Sequence, residues 1–247
     1  SKAMSEFASA FPGATKAGLD QAMQRYGIAP HPTNGRPTSP RSLADLEAVL
    51  EATFSTHDPD LGVLSFELSV VLHSLEPYAE YSRHLCEAAY ECQLHIQRQS
   101  NKRIHKGHTL HQLGLIFSAL RDREGAFRWF MLAHLEDCVS GDEASRKAGM
   151  AFRILRTRYG VRPEQFEELW KAVNALLAKT AKSEIESLAE RYPEALYLLT
   201  WLAAGIVAPL SRTTTELPNW ILLDELLPKV QKDVDGDGRL AEFWLAG

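Results

Sequence analysis

The sequence predicts an all-α protein built from antiparallel helix hairpins. Apolar residues recur at intervals of three and four along most of the chain, which places them on one side of a helix. Residues that begin helices (Ser, Asp and Pro) and residues that end them (Gly and Pro) flank these periodic segments. No segment shows the sustained alternation of apolar and polar residues that is typical of a half-buried strand.

Residues 1–40 form the first predicted region, a short helix followed by a linker. Residues 15–26 carry an apolar stripe and are followed by Gly27, a typical helix stop. Residues 28–40 contain four prolines and an Asn-Gly pair, so we expect an extended linker or loop there.

Residues 41–210 form the second predicted region, which is helical almost throughout. Outside the hairpin described next, the expected helices cover residues 42–56, 60–75, 77–98, 143–159, 163–177, 183–191 and 193–207. The helix at 60–75 is strongly apolar, so we expect it to be central. Residues 211–247 form the third region, with a helix at 219–227 and a loop rich in Asp and Gly.

The clearest helix hairpin lies at residues 107–138. On its first helix Leu110, Leu113 and Phe117 share one face, and Gly114 allows a neighbouring helix to approach that face closely. The segment 120–124, which is charged at positions 121–124, interrupts the apolar pattern and supplies a turn. A second stripe follows on the next helix, formed by Ala126, Phe130 and Ala133.

This hairpin resembles a tetratricopeptide repeat (TPR), whose signature places Leu-Gly, aromatic residues and alanines at these spacings. Leu110 stands where the family usually has Trp, and Cys138 stands where it usually has Pro. The resemblance implies helix hairpins stacked as a TPR-like right-handed array, with a concave groove that holds peptides.

Carried over position by position, the resemblance implies a groove lined by His108, His111, Gln112, Leu115 and Ser118. Lys102, Arg103 and Lys106 add positive charge at the same end, beside a helix N-terminus that itself favours anions. We therefore expect the groove to bind an extended acidic peptide or a small anionic ligand. The plain alternative is a solvated polar face.

Residues 103–111 also allow two other interpretations, a zinc site and a ribonuclease active site. His105, His108 and His111 are spaced as zinc ligands on a helix can be, although no acidic residue or cysteine accompanies them. Arg103 followed five residues later by His108 resembles the Arg-x4-His motif of HEPN-type ribonucleases. That resemblance implies a metal-independent ribonuclease in which the histidine acts on the 2′-hydroxyl or leaving group and the arginine steadies the phosphate.

A candidate calcium loop begins at Asp233, with Asp235 and Asp237 at alternate positions and Gly238 after them. Trp244 occupies the position of the closing bidentate acid, and Glu242 comes two residues too early. A polar turn without calcium is therefore the simpler interpretation, and no other cofactor is expected.

His134, Glu136 and Asp137 form a third polar group near the end of the repeat hairpin. We expect structural ion pairs here, with Arg121, Arg123 or Arg128 as partners.

Composition narrows the function. The net charge of −5 gives no overall attraction to nucleic acid or to an anionic membrane, and no apolar run is long enough to span one. Three cysteines without metal spacing indicate reduced thiols in a cytoplasmic protein. The sequence lacks a phosphate-binding glycine loop, a nucleophile elbow and an HExxH motif, which favours a binding protein over an enzyme.

The sequence as a whole predicts a protein-interaction or ligand-sensing scaffold. Its expected partner is a protein or peptide, with an effector domain or subunit as the receiver of the signal. The general style of the chain suggests a bacterial regulatory or defence system.

Overall fold

The computed structural model describes residues 8–75, 77–102, 104–140, 144–177 and 199. The helices are α1 (Lys16–Arg25), α2 (Leu43–Thr56), α3 (Pro59–Leu72), α4 (Ala79–Ser100), α5 (Gly107–Ala119), α6 (Arg123–Ser140), α7 (Ala144–Tyr159) and α8 (Pro163–Leu177). In this part of the chain, regular structure is helical except for one isolated bridge, which confirms the predicted all-α class. None of the described helices is both long and apolar enough to cross a membrane.

Local capping explains why several helix ends are where the sequence predicts them. The Thr15 side chain accepts a hydrogen bond from the Gly18 amide at 2.9 Å, and Ser42 accepts one from the Asp45 amide at 3.3 Å. Gly160, with φ of 65°, follows the end of α7. The predicted helices at 183–191 and 219–227 lie outside the described residues, and of the one at 193–207 only residue 199 is described.

The proline-rich segment folds back on itself as a tight hairpin. The His31 amide donates to the Arg36 carbonyl at 2.7 Å, and the Thr38 amide donates to the Ala29 carbonyl at 3.0 Å. Between these bonds, Pro30 and Pro37 form an antiparallel bridge. Since proline has no N–H, these two positions offer no backbone donor to another strand.

Helix α3 is the centre of the first part of the chain, as the sequence predicts. It contacts α1, α2, α4 and α5. The N-terminal residues share this core, since Phe11, Leu19, Met23 and Ile28 pack with buried residues of α2, α3 and α4. The helix in region 1–40 is therefore a component of the core. The region boundaries at 40 and 210 stay predictions.

Contacts divide the described residues into two compact units, one ending at Ala126 and one beginning at Phe127. In the second unit α7 contacts α8, and the Phe152 and Phe166 rings lie 5.2 Å apart between centroids. The Arg158 guanidinium lies 4.8 Å from the centre of the Phe127 ring. The unit boundary falls inside α6, the second helix of the predicted repeat. The stacking of hairpins as a TPR-like array stays a prediction.

Candidate functional site

Helix α5 carries most of the residues that the sequence assigns to a binding groove. Its buried side consists of Gly107, Thr109, Leu110, Gln112, Leu113, Gly114 and Ile116. His108 and Ser118 are exposed, while His111 and Leu115 are half-buried. These four accessible residues recur at intervals of three and four, so they follow one line along the helix. We refer to them as the α5 face.

Gln112 lies on the other side of the helix from the solvent. Its Nε2 donates to the Ser69 carbonyl at 3.4 Å and lies 3.3 Å from Nδ1 of His73, and the side chain is buried. Ser69 belongs to α3 and His73 is its C-cap. Gln112 thus connects α5 to the central helix.

Lys106 is also directed inward. Its Nζ donates to Oε1 of Gln97 at 2.7 Å and to the carbonyl of Ile104 at 2.9 Å, and the side chain is buried. The Ile104 amide donates to the same Gln97 oxygen at 3.0 Å. Because burial of an ammonium group is costly without such bonds, Lys106 has a clear role in fixing the segment that leads into α5. It does not share the accessible side of the helix.

The sequence around the α5 face is rich in basic residues and poor in acidic ones. Residues 92–121 contain no aspartate or glutamate. The same run contains the basic or titratable residues His95, Arg98, Lys102, Arg103, His105, Lys106, His108, His111 and Arg121. Exposed Lys102 lies just before α5, and the His105 and His108 rings meet edge to face at 6.2 Å. The α5 face therefore lies in a stretch without acidic side chains.

Arg83 of α4 contributes a cation near the far end of this face. Its guanidinium lies 5.2 Å from the centre of the Phe117 ring, and its Nε donates to Glu87 Oε1 at 3.0 Å. The hydrogen bond to Glu87 is the main cause of a raised pKa for Arg83. Glu80 lies 3.6 Å away as a second acidic neighbour. Arg83 links α4 to α5 through its contact with Phe117. Because its charge is already paired with Glu87 and Glu80, it adds little net positive charge near the α5 face.

The structure describes only some of the residues that the ribonuclease, calcium and zinc alternatives require. Arg103 lies outside the described residues, so the geometry of a HEPN-like Arg103 and His108 pair is not defined, although His108 itself is exposed. Asp233, Asp235 and Asp237 of the candidate calcium loop also lie outside them. Across the ranges that the structure does describe, no three His, Cys, Asp or Glu side chains come together as a metal site, including the three histidines considered for zinc.

The third polar group occupies the interior. His134, Glu136 and Asp137 are all buried, whereas Arg121 and Arg123 are exposed and Arg128 is half-buried. The ion pairs expected here stay a prediction. Positions 134 and 136 point in very different directions on a helix, so this end of α6 is enclosed on more than one side. The sequence did not reveal this enclosure.

A cleft of about 610 Å³ lies between α1 and the proline hairpin. Its lining consists of Lys16, Asp20, Met23, Gln24, Gly27, Ile28, Ala29, Pro30, Gly35 and Arg41. Lys16 and Arg41 are cationic, but Asp20 lies among them, so the charges alone do not select one class of ligand. The cleft was not predicted, because it exists only when the proline segment folds against α1.

Comparison with known protein families, with curated proteins and with solved structures gives no match for this chain.

Proposed function

We propose that this protein is a helical scaffold that binds an extended acidic peptide, or a small anionic ligand, along the α5 face. The observation that carries the proposal is a contrast between the two sides of α5. One side is anchored to α3 through Gln112, and the other presents His108, His111, Leu115 and Ser118 within an acid-free stretch. An anionic partner would meet no acidic residue of this stretch.

The chemistry of the α5 face suits a short acidic segment. The His108 imidazole and the Ser118 hydroxyl, both exposed, can donate hydrogen bonds to carboxylates. Leu115 offers apolar contact between them. From His108 to Ser118 the helix rises about 15 Å, which matches about four or five residues of an extended peptide.

The wider architecture is part of the same proposal. In it, α5 and α6 form a TPR-like repeat and neighbouring hairpins stack as a right-handed array, with the α5 face on the concave side. Binding would stiffen the stack and so signal to an effector domain or subunit. Lys106 and Gln112 position α5 in this arrangement without contacting the ligand, which narrows the set of contact residues to the α5 face.

The proposal is tested by fluorescence anisotropy with a labelled acidic octapeptide of alternating Glu and Leu. We expect binding that weakens with added salt, and an affinity about tenfold lower in the His108→Ala/His111→Ala double variant, equivalent to about 1.4 kcal/mol. His84→Ala is the matched control, because it removes an exposed histidine of α4 that lies outside the α5 face. A basic octapeptide of alternating Lys and Leu should not bind.

Equal affinity of the double variant and wild type would overturn the proposal. The same proteins are incubated with single-stranded RNA and a chelator. RNA cleavage by wild type that is lost in His108→Ala would replace the scaffold with the HEPN-like ribonuclease using Arg103 and His108.

A further inference from the structure

Two histidines from distant parts of the chain stack on each other beside the core of the first unit. The rings of His57 and His95 lie 4.3 Å apart between centroids, with 9° between their planes. His57 is the C-cap of α2 and has a left-handed backbone, with φ of 51°. His95 lies on α4. Both rings are half-buried, so protons from solvent can reach them.

The same corner is docked on α4 by a buried thiol. The Sγ atom of Cys92 donates to the carbonyl of His57 at 3.4 Å and lies 3.6 Å from the carbonyl of Asp58. Cys92 is fully buried, and burial raises the pKa of its thiol to about 12. The Asp58 side chain in turn accepts from the Asp60 amide at 2.8 Å and caps α3. The link between α2 and α3 therefore contacts α4 through the ring stack and through Cys92.

The charges around the stack do not favour its protonation. Burial and the neighbouring His95 ring lower the pKa of His57, and Arg98 of α4 reinforces this effect. Glu91 of α4 opposes it. Asp58 and Asp60 are the acidic groups at the start of α3, and Asp60 Oδ1 also accepts from the Thr15 amide at 2.9 Å.

From this geometry we propose that the His57–His95 stack is a pH-sensitive contact that releases the corner between α2 and α3 from α4 in acid. Two imidazolium rings repel each other at this separation, and the parallel arrangement leaves no ring N–H directed at the other ring's nitrogen. When both rings are charged, the corner moves away and the carbonyls of His57 and Asp58 leave Cys92. Acid therefore exposes this thiol while the rest of the first unit stays folded.

The direction of the effect follows from proton binding. Since the pKa of His57 is lowered in the folded chain, the unfolded or released state binds more protons. The contact is fully formed above the ordinary histidine pKa of about 6.5 and weakens as the pH falls through that value. Near neutral pH the corner stays docked.

The test measures the labelling rate of Cys92 by 4,4′-dithiodipyridine, a reagent that reacts with thiols in mild acid. Peptide mass spectrometry separates Cys92 from Cys86 and Cys138. Between about pH 7.5 and pH 5.5 we expect labelling of Cys92 to accelerate about tenfold relative to Cys86, a buried thiol of α4 that donates to the Thr109 carbonyl. Equal acceleration of Cys86 would indicate general unfolding and would contradict local release.

Two variants separate the charge of the rings from their packing. His95→Phe keeps an aromatic ring that cannot be protonated. We expect it to reduce the acid response without abolishing it, because burial still lowers the pKa of His57. His57→Asn removes the other ring at a position with a left-handed backbone, which asparagine tolerates, as Asn101 does in this chain with φ of 51°. It should expose Cys92 at every pH. His84→Ala should behave as wild type. An acid response in His95→Phe as large as that of wild type overturns the proposal.

Discussion

Arg36 Nε lies 3.6 Å from Glu67 Oε2 and joins the proline hairpin to the central helix α3. The Arg36 side chain is 53% exposed, whereas that of Glu67 is 8% exposed. Burial raises the pKa of Glu67, and Arg36 opposes this shift. The buried carboxylate of Glu67 thus depends on a cation from the proline hairpin. The sequence predicts only a linker or loop in that region.

Arg36→Ala is expected to destabilise the first unit at neutral pH, because Glu67 then has no cation from the hairpin. The effect should be modest, about 0.5–1 kcal/mol, since Arg36 is half in solvent. Chemical denaturation of wild type, Arg36→Ala, Glu67→Gln and the double variant forms a thermodynamic cycle. An equal cost of Arg36→Ala in both backgrounds would show that the two side chains are not coupled.

The pH dependence of stability should identify Glu67 as a group that resists ionisation. With its pKa raised in the folded state, its favourable contribution is complete below the ordinary glutamate pKa and is lost as the pH rises through the folded value. Glu67→Gln should therefore flatten the profile of unfolding free energy against pH in the window just above about pH 4.5. An unchanged profile would contradict the burial of this carboxylate.

Gln93 should fix the N-terminal segment to α4. Its Nε2 donates to the carbonyl of Ala10 at 3.1 Å, and Phe11 next to it is buried. Gln93→Ala is expected to cost about 1–3 kcal/mol, because it removes a buried hydrogen bond and side-chain volume. Gln99→Ala, an exposed position on the same helix, is the control. Similar unfolding free energies for the two variants would argue against this anchor.

Two glycines in helices should respond to alanine with opposite signs. A Cβ at Gly62 of α3 would lie 2.8 Å from Cys92 Sγ and from the Phe11 ring, so Gly62→Ala should cost about 1–3 kcal/mol. A Cβ at Gly149 of α7 would meet nothing within 4 Å. Gly149→Ala should stabilise by about 0.5–1 kcal/mol through helix propensity. Thermal unfolding followed by circular dichroism measures both, and stabilisation by Gly62→Ala would contradict the close approach of α3 and α4.

Local signals predicted the helices well, because a cap or a stop acts within a few residues. Ser42, Pro163 and Gly160 show this, since each lies at or next to the end of a helix that the sequence places there. The direction of a polar side chain is a different problem, because it depends on contacts with residues far away in the chain. Gln112 meets residues of the α3 region, about forty positions earlier, and periodicity carries no information about that pairing.

The N-terminal region likewise contains tertiary contacts that local sequence signals do not predict. Proline content correctly indicated a loop at 28–40, but its bridge between Pro30 and Pro37 and its contact with Glu67 arise from tertiary structure. The stacking of His57 on His95 is likewise a meeting of a helix cap with a distant helix. Within the candidate site, His108 and Ser118 are exposed, and His111 and Leu115 are half-buried. Ligand binding by them stays a prediction.

The most direct test of the central claim is to locate a bound acidic peptide on the chain. A photo-crosslinkable form of the Glu-Leu octapeptide is irradiated with the wild-type protein, and the attached residues are identified by mass spectrometry. The scaffold proposal predicts crosslinks within residues 108–118, which become much weaker in the His108→Ala/His111→Ala variant. Crosslinks concentrated elsewhere, for example at the cleft beside Lys16 and Arg41, would contradict it.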